Sequence, residues 1–348
     1  MTMAQKSFVL NPLVSVIIPC RNEVNYIGNL IDSILVNDIG LENIEILIID
    51  GMSDDGTRDS IKERINEYNN IFLIDNINQK TPYAFNIGIR KAKGNIISII
   101  GARCTISNNY LSEVNRVLIS NKSIGCVGGK THQIFEDKNS KIISKAMSTK
   151  FGIGFSNKRL FSKDTYADTV GSPSFRREIF DEIGFFDEVL TRNQDDDFSF
   201  RLTKHKYKIL LKANIWMKYK VRASFNMLFR QYKQYGYWKV FVNKKHKTVT
   251  TLRQLFPMIF IVSFCLLTLL SFVSPFFFYL LIIKLFLYTT LNLFFSFIDN
   301  GFNFTDLVKQ MYTYLILHIS YGSGYLEGIY DFVLFNKSPN KKNEKLSR

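Results

Sequence analysis

Three adjacent carboxylates, Asp195, Asp196 and Asp197, are the side chains whose type and spacing point most directly to acid–base chemistry. Phe198 and Leu202 follow them at helical spacing, which predicts a helix with Asp195 at its start. The helix dipole favours a negative charge there. A carboxylate so held is a general base able to take a proton from a hydroxyl group. An isolated acid run is more simply a solvated helix N-terminus; here its company tips the balance. Upstream stand Gly171-Ser172-Pro173-Ser174-Phe175-Arg176-Arg177 and Ile183-Gly184-Phe185-Phe186-Asp187-Glu188.

The elements that must position such a group are legible in the first hundred residues. Leu13 to Ile18, Ile44 to Ile49, Ile71 to Asp75 and Gly94 to Ile100 are apolar runs rich in β-branched residues and read as buried strands. Between them, Tyr26 to Leu35, Arg58 to Tyr68 and Thr81 to Lys91 carry helical patterns, the last with Pro82 in its first turn. Strands alternating with helices predict a parallel sheet covered on both faces. Ligands of such sheets bind beyond the strand C-termini, where Arg21-Asn22-Glu23, Asp50 and the residues after Ile100 lie. Asp50 at the end of the second strand has two readings, an acceptor for a ribose or base and a cap for its own loop, Gly51 to Thr57. No GxGxxG follows the first strand and no GxxxxGK[ST] occurs, which disfavours dinucleotide and P-loop binding.

The formal charge of +15 points to polyanionic partners. The four cysteines show no CxxC spacing, so neither a zinc site nor a disulfide framework is expected. The first apolar run is short and interrupted by Pro12 and Pro19, unlike a signal peptide. Between Lys218 and Lys247 lie nine Lys/Arg and no acid, with Phe225, Leu228, Phe229 and Tyr232 on one helical face. That pattern reads as an amphipathic helix in an anionic membrane interface. Leu255 to Ile283 is uncharged, and Lys284 is the only charge from Phe276 to Ile298. Split at Pro275, the run predicts two spans, Leu255–Val273 and Phe276–Ile298, or one hairpin. Basic residues before the first span and in the tail after Phe335 place both ends in the cytoplasm. Val308 to Phe335 contains Gly322, Gly324, Glu327 and Asp331 and is expected as an interfacial or re-entrant helix. The chain lacks any recognisable nucleic-acid module, so its basic charge is assigned to membrane and phosphate rather than nucleic acid.

Val16-Ile17-Ile18-Pro19-Cys20-Arg21-Asn22-Glu23 and Ile49-Asp50-Gly51-Met52-Ser53-Asp54-Asp55-Gly56-Thr57 resemble the nucleotide half of family 2 (GT-A fold) glycosyltransferases. Phe151-Gly152-Ile153-Gly154, Asp168-Thr169-Val170, Arg192-Asn193-Gln194-Asp195-Asp196, Tyr235-Gly236-Tyr237-Trp238-Lys239 and His318-Ile319-Ser320-Tyr321-Gly322 extend the likeness to the succinoglycan-biosynthesis ExoA-like group. The resemblance implies an α/β fold with a GT-A type nucleotide-binding sheet, helices on both faces, and a C-terminal amphipathic and transmembrane helical region. It divides the chain into a catalytic domain (1–217), a basic interface helix region (218–250), transmembrane or interfacial helices (251–335) and a basic cytoplasmic tail (336–348). Pro19, Asn22, Glu23 and Asp50 would line the nucleotide site. Asp195 matches the acid of the family's ED or TED base motif, with Gln194 in place of glutamate; Asp196 is the alternative one residue on. Gln231 and Trp238 resemble the QxxRW element that serves pyrophosphate or acceptor, with altered spacing and no Arg before Trp238.

The family places Asp-x-Asp or Asp-x-His after the fourth strand to hold a divalent metal on the donor pyrophosphate. This chain reads Gly101-Ala102-Arg103-Cys104. Oxygen-ligand metals need carboxylates or similar groups, so reduced dependence on Mg²⁺ or Mn²⁺ is expected, with Arg103 neutralising the pyrophosphate directly. The implied activity is that of a membrane-anchored, inverting hexosyltransferase of the cytoplasmic (inner) membrane. It would move a sugar from a nucleotide-sugar donor, expected to be a UDP-sugar, to a lipid-linked acceptor of surface polysaccharide or glycolipid. The alternative is a catalytically inactive nucleotide-sugar-binding scaffold subunit.

Overall fold

The predicted strands come together as the parallel half of a nine-stranded sheet. In the computed structural model, which describes residues 13–135, 137–153, 163–220, 224–250, 252–300, 303–339 and 343, the chain divides into two units. The first comprises Met1–Gln133, Lys158–Leu190 and Gln194–Lys220; the second comprises Ile134–Asn157, Thr191–Asn193 and Val221–Arg348.

In the first unit, β1 (Val14–Cys20), α1 (Val24–Leu35), β2 (Ile44–Asp50), α2 (Thr57–Glu67), β3 (Ile71–Asp75), α3 (Thr81–Lys91) and β4 (Ile96–Ile99) alternate. β1 pairs in parallel with β2 and with β4, and β2 with β3. Side chains alternate across the sheet, so Val14, Val16 and Ile18 pack on one face with Ile27, Leu30 and Ile34 of α1. Ile17 packs on the other with Ala84 and Ile89 of α3. Burial on both faces is why these strands read as continuous apolar runs.

The remaining strands were not anticipated from sequence. After β4 come β5 (Cys104–Ile106), α4 (Tyr110–Ser120), β6 (Ile124–Ile134), β7 (Thr165–Tyr166), β8 (Gly171–Arg176), α7 (Glu178–Ile183), α8 (Gln194–Lys204) and β9 (Lys208–Lys220). β8 pairs antiparallel with β4, and the sheet order is β3-β2-β1-β4-β8-β6-β9-β5, with β7 on β9. These strands carry lysines and glycines and mix buried with exposed positions, so no continuous apolar signal marks them.

α8 begins at the carboxylate run, and its apolar stripe anchors it. Phe198 and Leu202 are buried, and Phe198 lies 4.5 Å from Phe186 and 5.2 Å from Phe175, centroid to centroid. Asp197 is fully buried and accepts from Arg201 Nε at 3.0 Å. Arg201 also donates to the carbonyls of Ile183 and Phe185, each at 2.8 Å.

The second unit is helical: α5 (Lys138–Ser148), α6 (Lys150–Ile153), α9 (Phe225–His246), α10 (Phe256–Leu270), α11 (Pro275–Asn300) and α12 (Phe304–Gly328), which runs on as a π-helical segment, Ile329–Leu334. Leu252–Leu270 and Pro275–Ile298 are long and apolar enough to cross a membrane, close to the expected spans. The charge inside the second, Lys284, donates to Phe260 O at 2.8 Å and Ser263 Oγ at 2.6 Å.

The structure bears on two expectations for this region. Val308 to Leu334 is helical without a break, with one face packed inside its unit and another that exposes Val308, Tyr312, Leu315 and Ile319. Its acids have internal partners: Glu327 pairs with Lys233 at 2.7 Å, and Asp331 accepts from Tyr237 Oη at 2.9 Å. The α9 stripe is also largely internal. Leu228 and Tyr232 are buried and Phe225 meets Tyr312 edge-on at 5.6 Å, while Phe229 is exposed. Small residues set the approach of α9 to α12: a Cβ on Gly236 would strike the Tyr321 carbonyl, and one on Gly324 the Lys233 carbonyl.

Two stability outcomes are expected. Asp197→Ala leaves the half-buried guanidinium of Arg201 without its carboxylate partner, for a loss of about 1–3 kcal/mol. Thermal or denaturant unfolding measures it; an unchanged midpoint would show the pair to be dispensable. Gly324→Leu overpacks the α9–α12 contact and should cost about 1–3 kcal/mol or more, read as a lowered melting temperature of the purified chain in detergent.

Candidate active site

The parallel register Cys20↔Asp50 brings the ends of β1 and β2 side by side, and the loops after them interlock. Asn22 adopts a left-handed backbone (φ 54°), a conformation Asn tolerates better than most residues. Its backbone N–H donates to Ser53 Oγ at 2.8 Å, and its amide exchanges hydrogen bonds with Asp54 at 2.8 and 3.1 Å. Glu23 N–H donates to Thr57 Oγ1 at 2.8 Å. Burial would raise the pKa of Asp55, but donors from Thr57 and from the Val24 N–H outweigh it, and the carboxyl lies below its ordinary value.

Asp50 takes the second of its two readings. Its side chain is fully buried; it accepts from Ser53 N–H at 3.0 Å, from Ser53 Oγ, and from Arg58 Nη1 at 2.7 Å. The same Arg58 nitrogen reaches Asp75 at the end of β3 at 2.8 Å. A carboxylate with no exposed surface and three donors fixes the loop around it, so the expected direct contact of Asp50 with a ribose or base is corrected to a supporting role. Pro19, in register with Ile49, is half-buried at the same edge.

Arg103, between β4 and β5, meets Glu23 at this edge. Its Nε donates to Glu23 Oε2 at 2.7 Å, and its Cζ lies 5.0 Å from the centroid of the Tyr26 ring on α1. Gly101 is exposed and Ala102 buried, and neither has a ligating side chain. Burial pushes the neighbouring Cys104 thiol up to about 12, so it presents no thiolate. Among the described residues no group of three or more His, Cys, Asp or Glu side chains converges to hold a metal ion. A divalent cation therefore does not fit the residues at this position: the side chain present is itself a cation, and the nearest carboxylate is bound to it.

The carboxylate run is divided by its own helix. Asp197 is buried against Arg201, whereas Asp195 is exposed and Asp196 half-buried in the first turn of α8. Gln231 Nε2 donates to Tyr235 Oη at 2.8 Å. Trp238 is fully buried, within 6.5 Å of Phe332, and its indole N–H donates to Asn343 O at 3.0 Å. The acceptor-binding expectation for Trp238 is thus corrected, since it has no exposed face or spare donor to offer and serves the helix core. Arg58, Tyr26 and Lys220 belong to the site edge and escaped the sequence reading. Tyr26 carries the one available signal, lying three residues after Glu23 and so on the same face of α1.

Comparison with known proteins gives the family. The model of "Glycosyl transferase family 2" matches residues 15–184. A Methanococcus voltae protein, dolichyl N-acetyl-alpha-D-glucosaminyl phosphate 3-beta-D-2,3-diacetamido-2,3-dideoxy-beta-D-glucuronosyltransferase, is 31% identical over 230 residues, 64% of this chain and 71% of that one. Succinoglycan biosynthesis protein ExoA of Rhizobium meliloti (strain 1021) is 28% identical over 251 residues, 70% of this chain and 74% of that one. Glycosyltransferase AglE of Haloferax volcanii is 24% identical over 223 residues, 64% and 71% respectively. With a family model over residues 15–184 and a relative 31% identical of which it covers 71%, the chain belongs to glycosyl transferase family 2 and is a glycosyltransferase.

Proposed function

We propose that this glycosyltransferase moves a sugar from a nucleotide-sugar donor, read here as a UDP-sugar, to a lipid-linked acceptor in surface polysaccharide or glycolipid synthesis. The observation that carries the mechanism is the divided acid run: Asp197 is committed to Arg201, leaving Asp195 exposed at the positive end of α8. Asp195 takes the proton of the acceptor hydroxyl as its oxygen bonds to the anomeric carbon. The bond from that carbon to the diphosphate oxygen breaks on the opposite face, with inversion, and the nucleoside diphosphate leaves with the electron pair. Arg103 supplies positive charge toward that leaving group. The named substrate of the M. voltae relative, a dolichyl-linked sugar phosphate, supports a lipid-linked acceptor, and the succinoglycan assignment of the R. meliloti relative supports polysaccharide assembly. The two apolar helices and the basic residues flanking them support anchoring in the cytoplasmic membrane with the catalytic domain inside.

The Arg103–Glu23 ion pair favours a second reading, a scaffold subunit that binds a nucleotide sugar without turning it over. One experiment separates them. Membranes carrying the chain are incubated with a panel of labelled nucleotide sugars, and transfer to lipid is followed. The transferase reading expects product, and about 10²–10⁴-fold less with Asp195→Asn while nucleotide binding persists. Normal turnover by Asp195→Asn beside an inactive Asp196→Asn moves the base by one residue. Normal turnover by both refutes the mechanism, and absence of product with every donor favours the scaffold.

A further inference from the structure

Two cations share one aromatic ring at the edge where the metal motif is missing. Arg103 Cζ lies 5.0 Å from the Tyr26 centroid and Lys220 Nζ lies 4.8 Å from it. The strand register accounts for their meeting. β5 and β9 pair antiparallel with Cys104↔Tyr219 and Thr105↔Lys218, and continuing that register by one residue sets Arg103 opposite Lys220. Directly opposed residues of an antiparallel pair project from the same face, here toward α1 and its Tyr26. Like charges so placed repel, and two features offset the repulsion. The electron-rich ring face attracts both cations, and Glu23, three residues before Tyr26, accepts from Arg103 Nε at 2.7 Å.

The pairing uses only part of the guanidinium. Among the described residues, Glu23 is the one hydrogen-bond partner of Arg103, through Nε, so the two Nη groups keep their fork of donors for a ligand. The Arg103 side chain is 27% exposed and that of Glu23 14%, so the pair is reachable from solvent. A ligand with two or more negative charges would displace the single Glu23 carboxylate from Arg103 and reach the Lys220 ammonium that shares its ring.

We infer that Arg103 and Lys220, steered by Tyr26, form a metal-independent clamp for the diphosphate of the donor, with Glu23 as the resident counter-ion that the diphosphate displaces. This rests on the nucleotide-sugar reading of the site and adds Lys220, Tyr26 and the exchange of Glu23 to it. Guanidinium and ammonium hydrogen bonds to phosphate oxygens are charge-assisted, so losing either cation should weaken binding by about 10- to 100-fold. Glu23 competes with the diphosphate for Arg103, so removing its charge should strengthen binding. A carboxylate that itself contacted the donor would give the opposite sign.

The test is titration calorimetry of UDP, GDP, ADP and CDP with the full-length chain in detergent, in EDTA and again with Mg²⁺ or Mn²⁺. At least one nucleoside diphosphate is expected to bind the wild type in EDTA. Arg103→Ala and Lys220→Ala should each weaken it by about 10- to 100-fold, Lys220→Arg should retain it, and Glu23→Gln should tighten it several-fold. The gain in Glu23→Gln guards against misfolding, since a damaged site does not bind more tightly. Wild-type binding that appears only with added metal overturns the clamp, as do Arg103→Ala and Lys220→Ala variants that bind as the wild type does, or weaker binding by Glu23→Gln. If no nucleoside diphosphate binds under either condition, the donor reading itself falls, and the clamp with it.

Discussion

Asp50 sits at the end of a central parallel strand with no exposure to water, and a carboxylate so placed must be matched by donors or be excluded from the fold. Ser53 supplies two hydrogen bonds and Arg58 a third, and this neutralisation folds the chain from Gly51 to Thr57 back on itself. The rest of the site edge hangs on that loop. Its Ser53, Asp54 and Thr57 hold the backbone and side chain of Asn22 and the backbone of Glu23, and Glu23 in turn meets Arg103. The ion pair of buried Asp50 with half-buried Arg58 thus positions, through successive hydrogen bonds, residues that lie on three different strand ends. Arg58 extends the same constraint to β3 by bridging Asp50 and Asp75, which are in register.

A comparable economy governs α8. A run of three acids in one helical turn repels itself, and the fold relieves the repulsion by burying Asp197 against Arg201. Arg201 also donates to backbone carbonyls at the end of α7 and just beyond it, which ties the head of α8 to the aromatic cluster of Phe175, Phe180, Phe186 and Phe198. The exposed Asp195 therefore stands on a first turn whose orientation is set by buried neighbours, which suits the role of base proposed for it.

In the second unit the polar residues of apolar helices find partners inside the unit. Lys284 reaches a carbonyl and a hydroxyl of α10, Asn292 donates to the Met311 carbonyl, and Glu327 pairs with Lys233. Such internal satisfaction is what permits charged and amide groups within long apolar segments. It leaves the outer surfaces of α10 and α11 to Leu, Ile and Phe, in keeping with two helices able to cross a membrane.

Sequence alone determined what local pattern can determine. Runs such as Ile44–Asp50 announce strands buried on both faces, Phe198 and Leu202 announce the helix behind the acids, and Pro275 divides two spans, because each of these signals lies within a few residues. The parallel half of the sheet and the edge that carries Asn22, Glu23 and Arg103 were legible for the same reason. Tertiary structure decided everything that depends on which partner a polar side chain meets. Asp50 could have faced a ligand or its own loop, and only the meeting with Arg58 and Ser53 chose. Trp238 could have lined an acceptor site, and its burial against Phe332 removed it. Glu327 and Asp331 break the apolar pattern of their segment, and only the fold supplies their partners, Lys233 and Tyr237 of α9. Arg103 and Lys220 lie more than a hundred residues apart, and only the β5–β9 register brings them to the same ring. The strength and sign of a charged group's role depend on its neighbours and its hydration, and both are set by chain crossings that no local pattern encodes.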